Sequence, residues 1–483
     1  MRIAAFVLLL LSSTFLTVHA QPEKSIRLFK EADTCHMKKI DPKVTVGSIT
    51  LHGNKVTRDN IIFREMEFRH GDTLDESEFC KLAKKSRLNL LNLSIFNFVT
   101  VDTVHDAANR EVIHIDFTFI ERWYLWPLPI FELADRNFNA WFNSGKYNRI
   151  NYGMLLTHNN FRGRREQLRV LIRAGYNQNL LLRYDFPYLS RDQTFGLGFI
   201  FGFSRSHETA YKTVNDKQVY YKPASGYARE DAYAAITLHY RPAFRNIHSL
   251  TIGLDSYHFA DSLLLLNPGY VMGSDSYLKF LSVSYLFKHD YRDYKPYPLT
   301  GHYFDVEFAG RQEYSDVKSP FYYAIKTTFD VYLTITKRWF WASNVTSRFS
   351  SKTQQPYFMS NTFGFNNDFV RSYELYVIEG QDWGLMKNNL KFALLPTRVG
   401  KISGIRSEKF NKIHYACYIN LFTDLGFVKR PQSATESTLN NALLVGSGVG
   451  LDFVTYYDLV FRLEYGINHR GEKGLFIHFV API

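Results

Sequence analysis

Apolar and polar side chains alternate strictly through the last three quarters of the chain. Leu168 and Ile172 alternate with Arg169 and Arg173, and the segment 459–467 repeats the pattern. A period of two predicts β-strands with one apolar and one polar face. Long strands with charges on the second face indicate a barrel whose apolar face contacts lipid, because a water-soluble sandwich buries its apolar face and has shorter strands.

The alternation predicts sixteen strands, an even number as expected for a barrel of this kind. The barrel must close, because an open sheet edge in lipid leaves backbone groups unpaired. The predicted strands lie near residues 126–134, 147–158, 165–177, 179–187, 194–206, 228–242, 247–260, 276–288, 302–312, 321–336, 339–350, 386–397, 411–423, 442–455, 458–468 and 473–483. Four long connections are expected at one end of the barrel: 207–227, 261–275, 351–385 and 424–441.

The segment before the barrel has the pattern of a small α/β domain. Gly53-Asn54 marks a turn, Thr57 is expected to cap the first helix, and Gly71-Asp72 breaks the chain before the second. The predicted order is strand 44–51, helix 58–66, helix 76–92, strand 96–104 and strand 112–121.

The first 20 residues are typical of a secretory signal. Arg2 supplies the positive start, an apolar stretch follows, and small residues at positions −3 and −1 favour cleavage before Gln21. The predicted organisation is therefore a signal peptide over 1–20, a linker over 21–42, the α/β domain over 43–121 and the barrel over 122–483.

Three cysteines are too few for a disulfide scaffold. Cys35 and Cys80 could pair in an oxidising compartment, but three unpaired small side chains, including Cys417, fit the sequence equally well.

The net charge of +12 comes from the barrel segment, where basic residues are spread singly among aromatic residues. Because the sequence has no basic tract and no recognisable nucleic-acid motif, we expect no nucleic-acid partner. It also lacks the usual hydrolase, nucleotide-binding and zinc-protease motifs, so we expect no catalysis, no cofactor and no metal.

Motifs in a fixed order resemble the BamA/TamA superfamily of outer-membrane assembly and transport proteins. The N-terminal carriers are Gly53, Asn54, Gly71 and Asp72, which resemble one POTRA domain. The barrel carriers are the turn residues Asp290, Arg292, Asp293, Pro298 and Gly301, the segment Val370-Arg371-Ser372-Tyr373, the segment Phe422-Thr423-Asp424-Leu425-Gly426, and the glycine-rich segment 446–451. The resemblance implies a 16-stranded antiparallel transmembrane β-barrel preceded by one small α/β POTRA domain.

The resemblance also implies that the loop carrying Arg371 folds back into the barrel and that Arg371 reaches the carboxylate of Asp424. Ser372 stands where the family usually has Gly, so a positive φ there would be strained. Lys391 stands where the family often has Glu, and we expect it to repel Arg371 instead of pairing with it.

The implied function is insertion or export of client polypeptides through a seam between strands 126–134 and 473–483, which Pro482 would weaken. The implied location is the bacterial outer membrane with the POTRA domain in the periplasm. Expected partners are outer-membrane lipids, unfolded client barrel or secreted proteins, and periplasmic chaperones or accessory lipoproteins. The alternatives are a lipid- or solute-conducting channel and a dedicated exporter of one secreted protein.

Overall fold

A computed structural model describes residues 43–133, 149–271, 273, 275–315, 319–365, 368–430 and 437–479. The predicted signal peptide and linker, Cys35 and Pro482 lie outside the described residues.

The N-terminal domain is a four-stranded sheet covered by two helices. Its elements are β1 (Lys43–His52), α1 (Asp59–Phe63), β2 (Thr73–Asp75), α2 (Glu76–Leu91), β3 (Phe96–His105) and β4 (Val112–Glu121). The sheet order is β2-β1-β4-β3, with β1 and β4 parallel. Ile62 and Leu90 from the helices pack on Val46 and Phe117 from the sheet, and all four are buried. No helix in the described part of the chain is long and apolar enough to cross a membrane.

The first helix is shorter than predicted, and Thr57 does not cap it. Arg58 occupies the N-cap position and its side chain makes no capping hydrogen bond. The Thr57 hydroxyl donates instead to the buried carboxylate of Glu121, with an oxygen–oxygen distance of 2.8 Å. This hydrogen bond stabilises the buried carboxylate more than it would stabilise an exposed helix end. Water can hydrogen-bond to an exposed helix end but does not reach the buried carboxylate.

Sixteen strands form one antiparallel sheet in chain order. The elements after the N-terminal domain are β5 (Leu125–Leu133), β6 (Ile150–Phe161), β7 (Glu166–Gly175), β8 (Gln178–Phe186), β9 (Phe195–Ser206), β10 (Thr209–Val214), β11 (Lys217–Tyr221), β12 (Arg229–Ala243), β13 (Asn246–Phe259), α3 (Asp261–Leu266), β14 (Tyr277–Asp290), β15 (Gly301–Glu313), β16 (Tyr322–Thr334), β17 (Trp339–Ser350), a 3₁₀-helix (Tyr357–Met359), β18 (Asn361–Phe363), β19 (Ile378–Glu379), β20 (Asp382–Lys401), α4 (Glu408–Asn411), β21 (Lys412–Lys429), β22 (Leu443–Val454), a 3₁₀-helix (Tyr456–Asp458), β23 (Val460–Asn468) and β24 (Lys473–His478). Strands β10, β11, β18 and β19 form two separate hairpins, and the other sixteen after β4 form the barrel sheet.

The predicted fold class is confirmed, and most strand boundaries agree within a few residues. The largest differences are in β20 and β21, which extend past the predicted ends 386–397 and 411–423. Asp424 therefore lies inside β21 and not in the connection after it. The two strands pair with each other as far as Asp382 and Lys429, so the ladder itself accounts for the added length.

One face of the barrel sheet exposes apolar side chains. On β13, Leu250, Ile252 and Leu254 are 41%, 52% and 54% exposed. Between them, Thr251 points to the other face and shares a hydrogen bond with Thr237 of β12, 2.9 Å between their oxygens. The alternation therefore puts the apolar side chains outside and the polar ones in the lumen, as a lipid-facing barrel requires.

The two ends of the sheet are not joined by a ladder in the described part of the chain. Strand β5 pairs with β6 only and β24 pairs with β23 only. Strand β24 is six residues long, so its partner β23 extends beyond it. The predicted seam strands are thus the first and last strands of the sheet.

Candidate functional site

The long loop between β17 and β20 lies inside the barrel. Asp368 in this loop accepts a hydrogen bond from Lys326 of β16, 2.7 Å from nitrogen to oxygen. Glu374 lies 3.7 Å from the ring nitrogen of His478 on β24. Five strands separate β16 from β24 in the sheet, so the loop spans the lumen. We call residues 351–381 the lumen loop.

Arg371 is the centre of the contacts between the lumen loop and the wall. Its Nε donates to Asp424 at 2.8 Å, and its Nη2 contacts the other oxygen of the same carboxylate. Its Nη1 donates to Asn389 at 2.8 Å and to Glu464 at 3.1 Å. The Arg371 guanidinium also lies 4.1 Å from the ring centre of Phe422. Strands β20, β21 and β23 are thus tied to one loop residue.

All charged groups of this cluster are buried. Arg371 is 3% exposed, Asp424 0% and Glu464 1%. Lys387 of β20 stands directly opposite Asp424 in the ladder and is 6% exposed, so two cations face two carboxylates. Buried charges are tolerated only when they are paired and hydrogen-bonded, and a guanidinium meets a carboxylate through two bonds.

Glycines of β22 and β23 make room for the loop backbone. A Cβ at Gly446 would lie 1.9 Å from the carbonyl oxygen of Arg371, and one at Gly466 would lie 2.1 Å from the Ser372 hydroxyl. Ser372 has φ 74°, a left-handed conformation that costs a non-glycine residue energy. The loop is therefore docked in spite of the strain that the sequence analysis expected from a positive φ at this position. The Tyr373 side chain is buried, and its hydroxyl shares a hydrogen bond with Nδ1 of His469.

Lys391 does not join the Arg371 cluster. It is 1% exposed, and its Nζ lies 4.2 Å from the ring centre of Tyr297. Tyr297 donates to Asp452 at 2.8 Å, and Asp452 also forms a bidentate pair with Arg462, at 2.7 and 2.9 Å. This second buried cluster lies nearer the N-terminal domain, because Tyr297 belongs to a turn at that end.

That turn contains the motif Asp290 to Gly301. Asp290 accepts two hydrogen bonds from Arg292, each 2.9 Å. Asp293 accepts from the backbone of Leu299 at 3.1 Å, which closes the turn. Gly301 has φ 104°, and a Cβ there would lie 2.1 Å from a backbone oxygen. Pro298 is buried in the same turn.

The N-terminal motif residues shape turns. Gly53 has φ 90°, and its close approach to the Phe119 carbonyl leaves no room for a Cβ. Asn54 donates to Asp59 at 2.7 Å, which holds the turn against the start of α1. Gly71 has φ 88°, and the side chain of the next residue, Asp72, accepts from the backbone of Arg69 at 2.7 Å.

The N-terminal domain is docked on one mouth of the barrel through buried ion pairs. Glu65 accepts from Arg241 of β12 at 2.6 and 2.9 Å, and its side chain is 2% exposed. Burial raises the pKa of Glu65, but the adjacent Arg241 guanidinium lowers it by more. The net pKa of Glu65 therefore lies below its usual value. Arg122 pairs with Asp458 in the turn between β22 and β23, at 2.6 and 2.9 Å.

Further bonds continue the docking around the mouth. They join Arg58 to Gly163, Arg64 to Gln193, Asn92 to Asp293 and Asn97 to Lys409. With the two ion pairs, they engage five of the connections that the barrel presents at this end and the end of strand β12. The domain therefore covers the mouth at the end opposite the lumen loop.

The sequence singled out Arg371 and Asp424, which the structure brings together, but missed Glu464 and Asn389. The available signal was the position of Glu464 on the polar face of the alternating segment 459–467. The docking partners Glu65, Arg241 and Asp458 had no sequence signal. Cys80 forms a disulfide and Cys417 is free. In the described part of the chain, no three His, Cys, Asp or Glu side chains are grouped to hold a metal ion.

Comparison with known proteins gives a domain match and a fold match. Residues 44–122 match the model of the POTRA family, described as surface antigen variable number repeat. The chain is similar to CdiB from Escherichia coli at 12% identity and TM-score 0.50, over 90% of this chain and 75% of that one. It is also similar to BamA from Haemophilus ducreyi lacking POTRA domains 1-3, at 14% identity and TM-score 0.48, over 90% and 83%. No curated protein matches the sequence.

Proposed function

We propose that this chain, a BamA/TamA-like protein with one POTRA domain, inserts or exports client polypeptides through a lateral seam in the barrel wall. The observation that carries the proposal is the pair of sheet ends, β5 and β24, which have no ladder between them in the described part of the chain. Their free backbone groups are a template on which a client strand can pair.

The lumen is a poorer route. The lumen loop crosses it and is held by the buried Arg371 cluster, and the docked domain covers the opposite mouth. A client that passed along the barrel axis would have to break both sets of buried ion pairs. The free-energy cost of separating such pairs favours the seam.

We place the barrel in a bacterial outer membrane and the POTRA domain in the periplasm. The exposed apolar face of the barrel sheet supports this location, and the secretory signal predicted from the sequence agrees with it. In this orientation the edge strand β3 of the POTRA sheet faces the compartment through which unfolded clients arrive. Outer-membrane lipids and the client strands are the proposed partners, with periplasmic chaperones or accessory lipoproteins delivering the client.

A disulfide lock across the seam tests the proposal. Cysteines replacing outward-facing residues of β5 and β24, such as Leu128 and Leu475, are introduced in a Cys417→Ser background and oxidised. The readout is insertion of a urea-unfolded eight-stranded barrel protein into proteoliposomes. We expect the crosslinked protein to lose activity, because the edges can no longer accept a client strand.

The matched control is a crosslink between Ile236 and Ile252, which already face each other on the paired strands β12 and β13. This variant should keep full activity under the same oxidation. Full activity in the seam-locked protein, with the crosslink verified, would contradict the lateral route.

A dedicated exporter of one secreted protein is the second candidate, because the edges of β5 and β24 could accept a single client as readily as many. Depletion of the protein in its host, followed by quantitative proteomics of the outer membrane, separates the candidates. Loss of many unrelated barrel proteins indicates general insertion, whereas loss of one or two proteins indicates dedicated export. An unchanged proteome with altered lipid content or permeability indicates a channel.

A further inference from the structure

A basic cavity lies at the junction of the POTRA domain and the barrel. Its volume is about 40 Å³, and it is partly enclosed by α2 on one side and by the ends of β12, β13 and β14 on the other. Its charged lining comprises two acidic side chains, Glu65 and Asp290, and five basic ones, Arg165, Arg241, Arg245, Arg292 and Lys295. The lining therefore has three more positive than negative charges.

The two carboxylates are already paired within this set. Glu65 holds Arg241 in a bidentate pair. Asp290 holds Arg292 in a second one and also contacts Lys295 at 3.3 Å. Neither carboxylate is free to neutralise a further cation.

Two of the arginines form no ion pair within 4 Å in the described part of the chain, although Arg165 is near enough to Glu65 to help lower the pKa of that carboxyl. Arg165 donates to the hydroxyl of Tyr188 at 3.1 Å. Arg245 stacks over the ring of Tyr291, 4.4 Å from its centre. In addition, Nε of Arg241 is buried and donates to no described atom. An unsatisfied buried donor is costly, so the cavity offers both unused charge and unused hydrogen-bonding capacity to a ligand.

The cations affect one another at this site. Burial lowers the pKa of Lys295, Asp290 raises it, and Arg165 and Arg241 lower it again, so the net pKa lies below the usual value. A bound anion would relieve this repulsion.

We propose that this cavity binds a phosphate group. A phosphate carries up to two negative charges and several acceptor oxygens, which match an excess of cations and the forked donors of arginine better than a single carboxylate does. The cavity volume is about three times that of the smallest space that holds one water molecule, which suits a group of this size.

A bound phosphate would have a structural consequence. Arg165, Arg241 and Arg245 belong to barrel turns and strand ends, whereas α2 and Glu65 belong to the POTRA domain. A ligand among them stabilises the docked arrangement, because it adds contacts that the undocked domain cannot make.

The phosphate could come from solution or from a lipid headgroup. Arg245 is stacked on Tyr291, which is 42% exposed, and β13 next to it carries the exposed apolar residues Leu250 and Ile252. A headgroup whose acyl chains lie along that outer face can therefore approach Arg245. The shared chemistry is the phosphate, and the experiment separates the two sources.

The test uses the full chain with Arg165→Gln and Arg245→Gln together, compared with Arg338→Gln. Arg338 is an exposed residue in a turn at the same end of the barrel, away from the cavity. Titration calorimetry in neutral detergent measures binding of inorganic phosphate at fixed ionic strength, with acetate as the competing anion. Native mass spectrometry after reconstitution measures lipid retained from phosphatidylcholine bilayers with and without phosphatidylglycerol.

We expect saturable phosphate binding, at least about tenfold weaker in the double variant than in Arg338→Gln. If free phosphate is the ligand, the wild type, the double variant and Arg338→Gln retain equal amounts of phosphatidylglycerol. If a headgroup is the ligand, the wild type and Arg338→Gln retain phosphatidylglycerol and the double variant does not. Equal binding in the double variant and the control, or equal affinity for acetate, would overturn the proposal.

The single variant Arg165→Gln is included because it is less disruptive than the double variant: it removes only one hydrogen bond, to the Tyr188 hydroxyl. Heat-modifiability on electrophoresis verifies that each variant barrel is folded. If Arg165→Gln is folded and binds phosphate as tightly as Arg338→Gln does, Arg165 has no part in the site and the proposal is wrong.

Discussion

Arg371 donates hydrogen bonds to two buried carboxylates through one guanidinium group. Its fork makes two bonds with Asp424 and still reaches Glu464 and Asn389. A lysine ammonium is a point charge and cannot keep this planar geometry. Ser372 beside it adopts a strained φ, so the cluster must hold the loop against that strain.

Replacing Arg371 with Ala should release the lumen loop. Removing one partner of a buried pair costs about 3–5 kcal/mol, because the carboxylates of Asp424 and Glu464 stay buried without the guanidinium that donates hydrogen bonds to both of them. We expect a lower midpoint for the loss of the folded band when the protein is heated before electrophoresis.

The matched control is Arg183→Ala. Arg183 also pairs with a carboxylate, Asp185, but its side chain is 49% exposed. Exposed pairs are worth about 0–1 kcal/mol, so the midpoint should hardly move. An equal shift in the two variants would show that burial of the Arg371 cluster contributes nothing.

At the scale of elements, the glycines of β22 and β23 fit the wall to the loop. A strand with side chains at Gly446 and Gly466 would project them into the backbone and side chain of the lumen loop. Glycine normally weakens a strand, so its use here indicates close approach of another backbone. The seam also belongs to this scale, because β5 and β24 have no ladder between them among the residues that the structure describes.

Gly446→Ala should displace the lumen loop while the barrel stays folded. The new Cβ would lie 1.9 Å from the Arg371 carbonyl oxygen, which is far inside van der Waals contact. We expect a larger single-channel conductance in planar bilayers, because the displaced loop no longer fills the lumen.

Gly384→Ala is the control for this substitution. Gly384 lies on β20 in the same part of the barrel, and no atom lies within 4 Å of the position its Cβ would take. Its conductance should equal that of the wild type. A matching increase in both variants would assign the effect to the loss of glycine and not to the loop.

For the whole molecule, the main feature is a POTRA domain held on the barrel mouth by buried carboxylates. Burial raises the pKa of Asp458, but Arg122 lowers it by more, and Arg241 has the same effect on Glu65. The net pKa of each carboxyl therefore lies below its usual range. A carboxylate with a lowered pKa stabilises the docked state at any pH above its usual pKa. That stabilisation is lost as the pH falls through the lowered value.

We therefore expect the POTRA domain to undock as the pH falls below about 4, the usual range for these groups. Cleavage at the junction by an acid-active protease is the measurement, since an undocked domain exposes the segment after β4. Glu65→Gln should move the onset of cleavage to higher pH, because one of the two ion pairs is already gone.

Glu67→Gln is the control for the pH experiment. Glu67 is on the same segment and accepts a bond from Asn89 within its own domain. It makes no described contact with the barrel, so its cleavage profile should follow that of the wild type. Identical profiles for Glu65→Gln and wild type would show that the Glu65–Arg241 pair does not hold the domain.

The sequence by itself determined the strands and the α/β domain, because a period of two and turn residues are local signals. The pairing of Arg371 with Asp424 was implied only by the family resemblance, and the structure brings the two side chains together. It did not determine the cap at Thr57, since a distant carboxylate, Glu121, competes for that hydroxyl. For Lys391 it gave only the expectation that this residue repels Arg371 and does not pair with it, and it did not identify Tyr297 as the ring that the Lys391 side chain contacts.

Only the tertiary structure decided which charged side chains pair across the barrel and between the barrel and the POTRA domain. Glu464 joins Arg371, and Glu65 joins Arg241, across sequence separations of 93 and 176 residues. Such pairs depend on how the sheet curves and on where the POTRA domain settles. Each charged residue is compatible with many partners along the chain, so spacing alone does not select one. Close packing does, because a buried charge persists only where its partner is within bonding distance.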